Sequence, residues 1–302
     1  MFKSKNSMSR ALVRRETTAG YLFLLPSLFF FVTFVLYPMF LCIYTSFFDS
    51  NMGKNAVDVF VGLGNYKELF QDKLFLGALK NTVIIVVVAV PTVCAFSLLV
   101  ATAIYDMKPA LTSAFRCIFY LPVVTGSVAV TVVWKWMYNS RYGVFNYLFK
   151  SLGIIDQNIN WLGDARFALW CIILILFTTS VGQPIVLYVS ALGNVDHSLV
   201  EAAQVDGANR RQVFWKIKWA QIMPTTLYIL IITTINSFQC FALIQLLTSG
   251  GPTHSTDTIM YYIYYTAFKL YRYGYGNAMG VVLMVIIAVL SAVQFKLGQQ
   301  SD

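Results

Sequence analysis

Six long runs of apolar residues constrain the fold of this chain more than any other feature of its sequence. Each run is close to or above the roughly 20 residues that an α-helix needs to cross a bilayer. A spanning backbone must satisfy its hydrogen bonds internally, and uninterrupted apolar runs favour helices over strands. The sequence therefore predicts an all-α integral membrane protein with about six transmembrane helices. The runs are residues 20–48, 80–105, 114–138, 167–192, 224–247 and 278–297.

The composition excludes an ordinary soluble domain. Of the 302 residues, 58% are hydrophobic and 12% are charged, against about 25% charged residues in soluble globular domains. The formal net charge is +9, but the basic residues lie mainly at the ends of apolar runs, which argues against nucleic acid as a partner. The five cysteines lie inside apolar runs without metal-ligand spacing, so we expect neither a metal site nor a disulfide framework.

The lysines and arginines predict the orientation of the chain. Twelve fall in the segments that lie inside if the N-terminus is cytoplasmic, and nine fall in the longer outer segments. The positive-inside rule therefore favours an N-in, C-in topology. On this topology, residues 1–19 are a basic cytoplasmic N-terminus, 20–297 form one transmembrane domain and 298–302 are a C-terminal tail. The run from Tyr21 exceeds the about 7–15 apolar residues of a signal peptide, so we expect a retained anchor.

The longest cytoplasmic loop on this topology is residues 193–223. Its sequence favours helix on both sides of Asp206-Gly207, where glycine can adopt the left-handed conformation that ends a helix. We therefore expect a helix, a sharp turn and a second helix lying under the membrane. The residues alone are equally consistent with a connector on the anionic inner leaflet and with a docking element for another protein.

The external loop, residues 248–277, also has internal structure. Gly250-Gly251-Pro252 ends the preceding helix, and the chain then becomes apolar and aromatic over 259–270. This stretch is too short to span, so we expect an interfacial or re-entrant helix with its tyrosines at headgroup depth. A helix that merely rests on the membrane stays open as the alternative.

The polar loop resembles a known motif. Its stretch "EAAQVDGANRRQVFWKI" is similar to the EAA loop of permease subunits of ATP-binding-cassette (ABC) importers. That pattern has Glu-Ala-Ala, three residues, glycine, nine residues and isoleucine, matched here by Glu201, Ala202, Ala203, Gly207 and Ile217. Further stretches, such as "FVGLGNYKELF" and "FALIQLLTSGGPTHSTDTIMYYIYYTAF", resemble successive segments of carbohydrate permeases of the maltose-transporter type over nearly the whole chain.

The chain departs from the resembled pattern directly after Ile217. The pattern continues with one residue and then Leu-Pro, whereas this chain has Lys218, Trp219 and Ala220, and its proline follows at Pro224. The angle of the second helix of the loop is therefore an open question. The helix and the glycine turn of the motif are intact, so we expect docking to be retained.

The resemblance implies the type I ABC importer permease fold and a set of partners. These are a second homologous permease subunit, two ATP-binding-cassette ATPases, an extracytoplasmic sugar-binding protein and membrane lipid. The chain would be a multi-pass protein of the bacterial plasma membrane and a transport subunit, not an enzyme. It would bind no cofactor or metal, and it carries no phosphate-binding loop motif, so ATP and Mg²⁺ would act at the partner ATPases. The implied ATPase contact comprises Glu201, Ala202, Ala203, Asp206 and Gly207.

The resemblance also places polar residues of two spanning helices beside the substrate. Thr233, Ser237 and Cys240 lie at i, i+4 and i+7 on one helical face. Hydroxyl and amide groups suit neutral sugars, although they also join membrane helices to one another, and both interpretations stay open. The candidate substrate-path residues are Gly182, Gln183, Thr233, Asn236, Ser237, Gln239 and Cys240.

Two alternative functions stay open. A permease for glycerol phosphate or a polyol would need basic residues facing the path, and we expect none in the middle of a helix. A stand-alone secondary transporter or channel is the alternative from another class. No carboxylate lies in the middle of an apolar run, which argues against a proton-driven transporter.

Overall fold

The computed structural model describes residues 4–50 and 58–299, and the side chains of residues 12–50 and 58–298. The remaining parts of the predicted N-terminus and C-terminal tail lie outside the described residues. Two short strands, β1 (Phe48–Asp49) and β2 (Val59–Phe60), pair antiparallel. The helices are α1 (Ser4–Phe31), α2 (Tyr37–Thr45), α3 (Gly64–Leu69), α4 (Lys73–Ile104), α5 (Pro109–Val124), α6 (Ser127–Met137), α7 (Val144–Ser151), α8 (Ala168–Ser180), α9 (Gly182–Gly193), α10 (His197–Val205), α11 (Arg210–Val213), α12 (Trp219–Phe238), α13 (Ala242–Leu247), α14 (Ile259–Tyr264) and α15 (Tyr273–Gln299), with π-helical segments Val32–Leu36, Phe214–Lys218 and Tyr265–Lys269.

Five helical stretches in the described part of the chain are long and apolar enough to cross a membrane, so the all-α membrane fold is confirmed. They correspond to five of the six predicted apolar runs, although most begin earlier than the runs do. The stretches are Leu12–Thr45, Lys73–Ile104, Ala168–Gly193, Arg210–Leu247 and Tyr273–Gly298.

The run 114–138 is not the single straight helix that the sequence predicted. It is divided into α5 and α6, which meet at an angle of 94°. Thr125 and Gly126 between them have extended backbone, with ψ of 126° and 141°, so the helical hydrogen-bond ladder stops there. Counting this bent pair as one span gives six.

The main core lies where α4, α9 and α12 pack on one another. Val93 and Ala101 of α4, Ile185 of α9, and Ile222 and Ile229 of α12 are buried together in one apolar cluster. By contrast, the most apolar part of the stretch Leu12–Thr45 has no buried residue, and α2 is the part of it that packs on α15. The first helix therefore presents its apolar surface outward.

The short helix in the loop 248–277 is packed inside the protein. The prediction of a helix over 259–270 is confirmed by α14 and the π-helical segment Tyr265–Lys269. Ile259, Tyr262 and Thr266 are buried, and α14 packs between α4 and α15. One face of this helix is therefore covered by other helices of the protein, while its position relative to the bilayer stays a prediction.

The polar loop forms the expected helix and turn, but its second helix differs from the expectation. α11 continues through Phe214–Lys218 directly into α12. The helix therefore passes Pro224, which the sequence had placed at the start of the span. The second leg is therefore not a separate helix but the first part of a longer one that includes Pro224.

Candidate functional site

A cavity of about 160 Å³ lies beside the junction of α8 and α9 and against α12. Its wall mixes hydroxyl and amide side chains with aliphatic ones, so it can both cover apolar surface and offer hydrogen bonds. The lining residues are Val123, Thr179, Ser180, Gln183, Pro184, Leu187, Tyr228, Ile229, Ile232, Thr233 and Asn236.

Pro184 explains why the helix is interrupted at the cavity. Proline has no backbone N–H, so it cannot donate to the carbonyl of Ser180 four residues earlier. α8 ends at Ser180 and α9 begins at Gly182, with Val181 between them. The carbonyl of Val181 accepts a hydrogen bond from the hydroxyl of Ser97 at 3.3 Å. The interruption places Ser180 and Gln183 at the cavity wall.

Three predicted path residues come together in this cavity: Gln183, Thr233 and Asn236. The structure adds Thr179 and Ser180, which precede Gln183 in the same stretch "TTSVGQP". The sequence could have predicted these two hydroxyls, because Ser180 and Thr179 lie three and four residues before Gln183 and so share its side of the helix. Their role, like that of the predicted residues, stays a prediction.

Four predicted path residues are not in the cavity wall. Gly182 lies against α5, where a Cβ atom would come within 2.3 Å of the carbonyl oxygen of Phe119, so it permits close helix packing. Ser237 and Cys240 are buried elsewhere, and the backbone of Cys240 accepts a hydrogen bond from the hydroxyl of Thr258 at 2.8 Å. Gln239 is exposed. The periodicity argument placed Ser237 and Cys240 on one face with Thr233 but could not say which helix that face meets.

A second cavity of about 460 Å³ adjoins the first at Gln183, which lines both. Arg116 of α5 lies in its wall, beside Tyr120, Val186 and Leu187. The Nε atom of Arg116 is buried, and no hydrogen-bond partner is found for it among the described residues. Arg116 is thus a basic residue within α5 at a cavity wall, although its place near the start of the run 114–138 had assigned it to the preceding loop. That this cavity belongs to the substrate path stays a prediction.

The helix α10 is held at both ends by local hydrogen bonds. At its start, Asp196 accepts from the backbone N–H and the hydroxyl of Ser198 at 2.9 and 2.7 Å, and these bonds lower the pKa of the Asp196 carboxyl. At its end, Gly207 has a φ of +82°, a conformation that glycine adopts without strain. The N–H of Ala208 then bonds to the carbonyl of Ala203 at 2.9 Å, which closes the helix.

The predicted partner-contact residues form an open surface around α10. Glu201, Ala202, Asp206 and Gly207 are exposed, Ala203 is half-buried, and α10 contains no buried residue. The neighbouring apolar Val205 is 88% exposed as well. A single exposed apolar side chain is ordinary at a protein surface, so the partner contact at α10 stays a prediction.

The described residues contain no group of three or more His, Cys, Asp or Glu side chains that could hold a metal ion.

The comparisons with known proteins agree with one another. A family model described as "Binding-protein-dependent transport system inner membrane component" matches residues 62–300. The chain is 33% identical over 288 residues to the probable ABC transporter permease protein YesP of Bacillus subtilis (strain 168), covering 94% of this chain and 91% of that protein. It is also 33% identical over 288 residues to the lactose transport system permease protein LacF of Rhizobium radiobacter, covering 94% and 95%.

A solved structure shares the fold. It is a bacterial ABC transporter involved in the import of the acidic polysaccharide alginate, and one of its chains matches with a TM-score of 0.78 at 23% sequence identity. The match covers 97% of this chain and 99% of that chain. The five or six spans described above therefore have the arrangement of an ABC importer permease.

Proposed function

This chain belongs to the family of binding-protein-dependent transport system inner membrane components, and from that premise we propose that it forms half of the translocation path of an ATP-driven carbohydrate importer, most specifically an oligosaccharide importer. It is a multi-pass membrane transport subunit and not an enzyme. The observation that carries the proposal is that one chain holds both a polar cavity at the interruption between α8 and α9 and an exposed helix, α10, just before the spanning stretch Arg210–Leu247.

The chemistry of the cavity suits a sugar. Thr179, Ser180 and Thr233 offer hydroxyls, while Gln183 and Asn236 offer amides, and these groups donate to and accept from sugar hydroxyls. The cavity is partly open and of modest volume, so a second homologous permease subunit would supply the opposite wall.

The coupling helix α10 would dock into a cytoplasmic ATPase. The exposed Glu201 supplies a charged anchor, Ala202 and Ala203 allow close approach, and Gly207 sets the turn. ATP and Mg²⁺ would bind to two such ATPase subunits. The topology would then be N-in, C-in, and a sugar-binding protein would dock at the opposite end, around the loop 248–277. Transport would follow alternating access, with docking and ATP binding each favouring one state.

Arg116 supports a second candidate function. A guanidinium group in a cavity wall, with no acidic partner among the described residues, is costly where it is shielded from water unless it serves a substrate or a neighbour. Arginine binds carboxylates and phosphates through paired hydrogen bonds. A permease for an acidic sugar or for glycerol phosphate would place the anionic group of the substrate in the cavity of about 460 Å³.

Co-purification tests the coupling role. The chain is isolated from its native membranes in gentle detergent, beside the variant Glu201→Lys. We expect an ATPase and a second permease to accompany the unaltered chain, and the ATPase to be lost from Glu201→Lys. The control Lys150→Glu reverses an exposed charge on α7 and should retain the ATPase. A chain that purifies alone would refute the proposed function.

Sugar-stimulated ATP hydrolysis tests the path. In the reconstituted complex with its binding protein, lactose, maltotriose and an alginate oligosaccharide are compared as substrates. Thr233→Val, which keeps the shape but loses the hydroxyl, should reduce stimulation by about tenfold, as expected for one lost hydrogen bond of about 1.4 kcal/mol. Thr92→Val, at an exposed position of α4, should have no effect. Arg116→Gln should abolish stimulation only if the stimulating sugar is acidic.

A further inference from the structure

The second leg of the coupling loop is continuous with a helix of the cavity wall. The backbone is helical from Arg210 to Phe238, through α11, the segment Phe214–Lys218 and α12. At 1.5 Å per residue, Arg210 lies about 35 Å along this helix from Thr233 in the cavity wall. A displacement of the loop therefore reaches the cavity without crossing a turn. We call this continuous helix, Arg210–Phe238, the coupling rod.

Lys218 joins the coupling rod to α4. Its ammonium group donates a hydrogen bond to the hydroxyl of Tyr105 and lies 4.5 Å from the centroid of the Tyr105 ring. Tyr105 is the residue directly after α4. This charge-assisted hydrogen bond restrains the distance between the two helices where they meet.

The hydroxyl of Tyr105 remains protonated at neutral pH. Burial first, and then the hydrogen bond to Asp106 and its negative charge, raise the pKa of Tyr105 to about 12, although the charge of Arg210 opposes this. The phenol therefore keeps its proton while its oxygen accepts a hydrogen bond from Lys218. None of the ion pairs within the described residues involves Lys218.

The contact borders the core that α4, α9 and α12 share. Tyr105 and Trp219 pack against a buried cluster that contains Ile104, Leu192 and Ile222, one residue from each helix. Two of these three helices, α9 and α12, carry the polar residues of the cavity. The contact thus lies between the loop that a partner would move and the helices that enclose the cavity.

The contact lies where this chain departs from the pattern it resembles. The pattern has Leu-Pro after the isoleucine, and a proline removes a backbone donor and favours a break in a helix. Here Lys218, Trp219 and Ala220 occupy this place, so the rod has no proline there, although it contains Pro224 further along, and a cation is available to reach α4. Both features follow from the same few residues.

We propose that the Tyr105–Lys218 contact is a positioning contact that makes α4 move with the coupling rod, so that α4, α9 and α12 respond to the ATPase as one body. The proposal rests on the proposed function, because a partner must move the loop. Without the contact, the shared apolar core would still hold α4 against the rod, but the end of α4 nearest the loop would be less restrained and the cavity would respond less.

The experiment reads the cavity directly and needs no identified sugar. The full complex is placed in lipid vesicles, with Ile232→Cys in the cavity wall and the five native cysteines replaced by alanine. The rate of modification by N-ethylmaleimide is measured with and without ATP plus vanadate, beside the rate of ATP hydrolysis. With Lys218 present, we expect nucleotide to change the modification rate about five- to tenfold, within the usual range of coupling between sites.

The variants separate positioning from assembly. In Lys218→Ala the change should fall below about twofold, while the ATPase stays bound and hydrolyses ATP. Lys218→Arg keeps a cationic donor for the hydroxyl and should restore the response, whereas Tyr105→Phe removes the acceptor and should resemble Lys218→Ala. Lys216→Ala removes an exposed ammonium group from the same π-helical segment and should behave as the unaltered chain.

Each other outcome is decisive. A full nucleotide response in Lys218→Ala overturns the proposal. Loss of the ATPase from Lys218→Ala also overturns it, because the contact would then serve docking and not transmission. If no ATPase accompanies the unaltered chain in the first step, the proposed function has failed, and that result differs from a failure of the contact alone.

Discussion

The two ends of the α4–α9–α12 bundle use polar side chains in opposite ways. At the end that carries α10, Glu201 and Asp206 are exposed. At the other end, where α4 begins, Asp72 accepts hydrogen bonds from the hydroxyls of Tyr262 and Tyr275 at 2.7 and 2.9 Å. We call these the open end and the closed end.

The closed end joins segments that are far apart in the sequence. Asn81 of α4 donates to the backbone oxygens of Ser255 and Asp257 at 3.1 and 3.0 Å. The hydroxyl of Thr82 accepts from the N–H of Ile259 at 3.0 Å. These bonds attach the loop 248–277 to α4, and they are buried or half-buried, where an unmade hydrogen bond is costly.

The residues that stabilise the fold and the residues proposed to bind a partner therefore lie at different ends of this molecule. A buried network contributes to stability because each of its groups would be unsatisfied if its partner were removed. An exposed helix face contributes little, since substitutions there change stability by about 0.5 kcal/mol or less. Mutations at the two ends should therefore affect different measurements.

Asp72→Ala should cause the largest loss of stability. It removes the acceptor of two tyrosine hydroxyls and of the N–H groups of Leu74 and Phe75, which should lower the free energy of unfolding by about 3 kcal/mol. Thermal unfolding in detergent measures this, with the exposed Asp156→Ala as the control. The folded fraction should still bind the ATPase. A loss of less than about 1 kcal/mol would contradict the network.

The same carboxylate predicts a pH dependence. Burial acts to raise the pKa of Asp72, but the hydrogen bonds from Tyr262, Tyr275, Leu74 and Phe75 lower it below its usual 3.8. A lowered pKa in the folded state gives stability that is present above pH 3.8 and is lost as the pH falls through the folded pKa. In Asp72→Ala this acid-dependent part of the unfolding curve should disappear.

Gly207→Ala should have a moderate effect at the open end. Its φ of +82° disfavours alanine although no atom lies within 4 Å of the added Cβ, so the expected loss is about 1 kcal/mol. Gly153→Ala, with a φ of +69° and equally free space, is the matched control near α7. Both variants should lose similar stability, but only Gly207→Ala should weaken ATPase co-purification. If both variants bound the ATPase equally well, the proposed difference between the open and closed ends would be wrong.

Asp257→Asn should change how stability depends on pH at the closed end. Burial raises the pKa of Asp257, while the hydrogen bond and charge of His254, whose Nδ1 is 2.7 Å away, act against this. A raised folded pKa means that stability falls as the pH rises from the usual 3.8 through the folded pKa, because the ionised form is disfavoured when folded. Asp257→Asn should flatten this fall in the melting temperature. A variant that is less stable than the unaltered protein at pH 7 would show that the ionised pair stabilises the loop.

Val205→Asp should have the smallest effect on stability. Val205 is 88% exposed, so the free energy of unfolding should change by about 0.5 kcal/mol or less. The α10 surface that is proposed to contact the ATPase would nevertheless gain a charge. ATPase binding should therefore weaken by about tenfold or more, as for a residue at the centre of a contact. Leu152→Asp, at a 62% exposed position near α7, should leave ATPase binding unaltered. If Val205→Asp instead lowered the free energy of unfolding and left ATPase binding unaltered, the proposed difference between the open and closed ends would be wrong.

Part of the fold and site could be read from local patterns. The runs 80–105 and 278–297 match α4 and α15, since length and hydropathy are sufficient to predict a span. The 94° bend was missed, because hydropathy averaged over a run does not register two extended residues at Thr125 and Gly126. Arg116 was missed because its position near the start of a run resembles an ordinary helix end.

The sequence by itself determined the membrane class, the family and the glycine turn at Gly207, because each depends on residues that are close together along the chain. Only the tertiary structure decided which polar residues share a cavity and that Lys218 reaches Tyr105. A membrane helix can direct hydroxyl and amide groups to several neighbours, and the crossing of α4, α9 and α12 selects among them. Thr233 thus lines the cavity, while Ser237, one turn further along the same helix, is buried in a different contact.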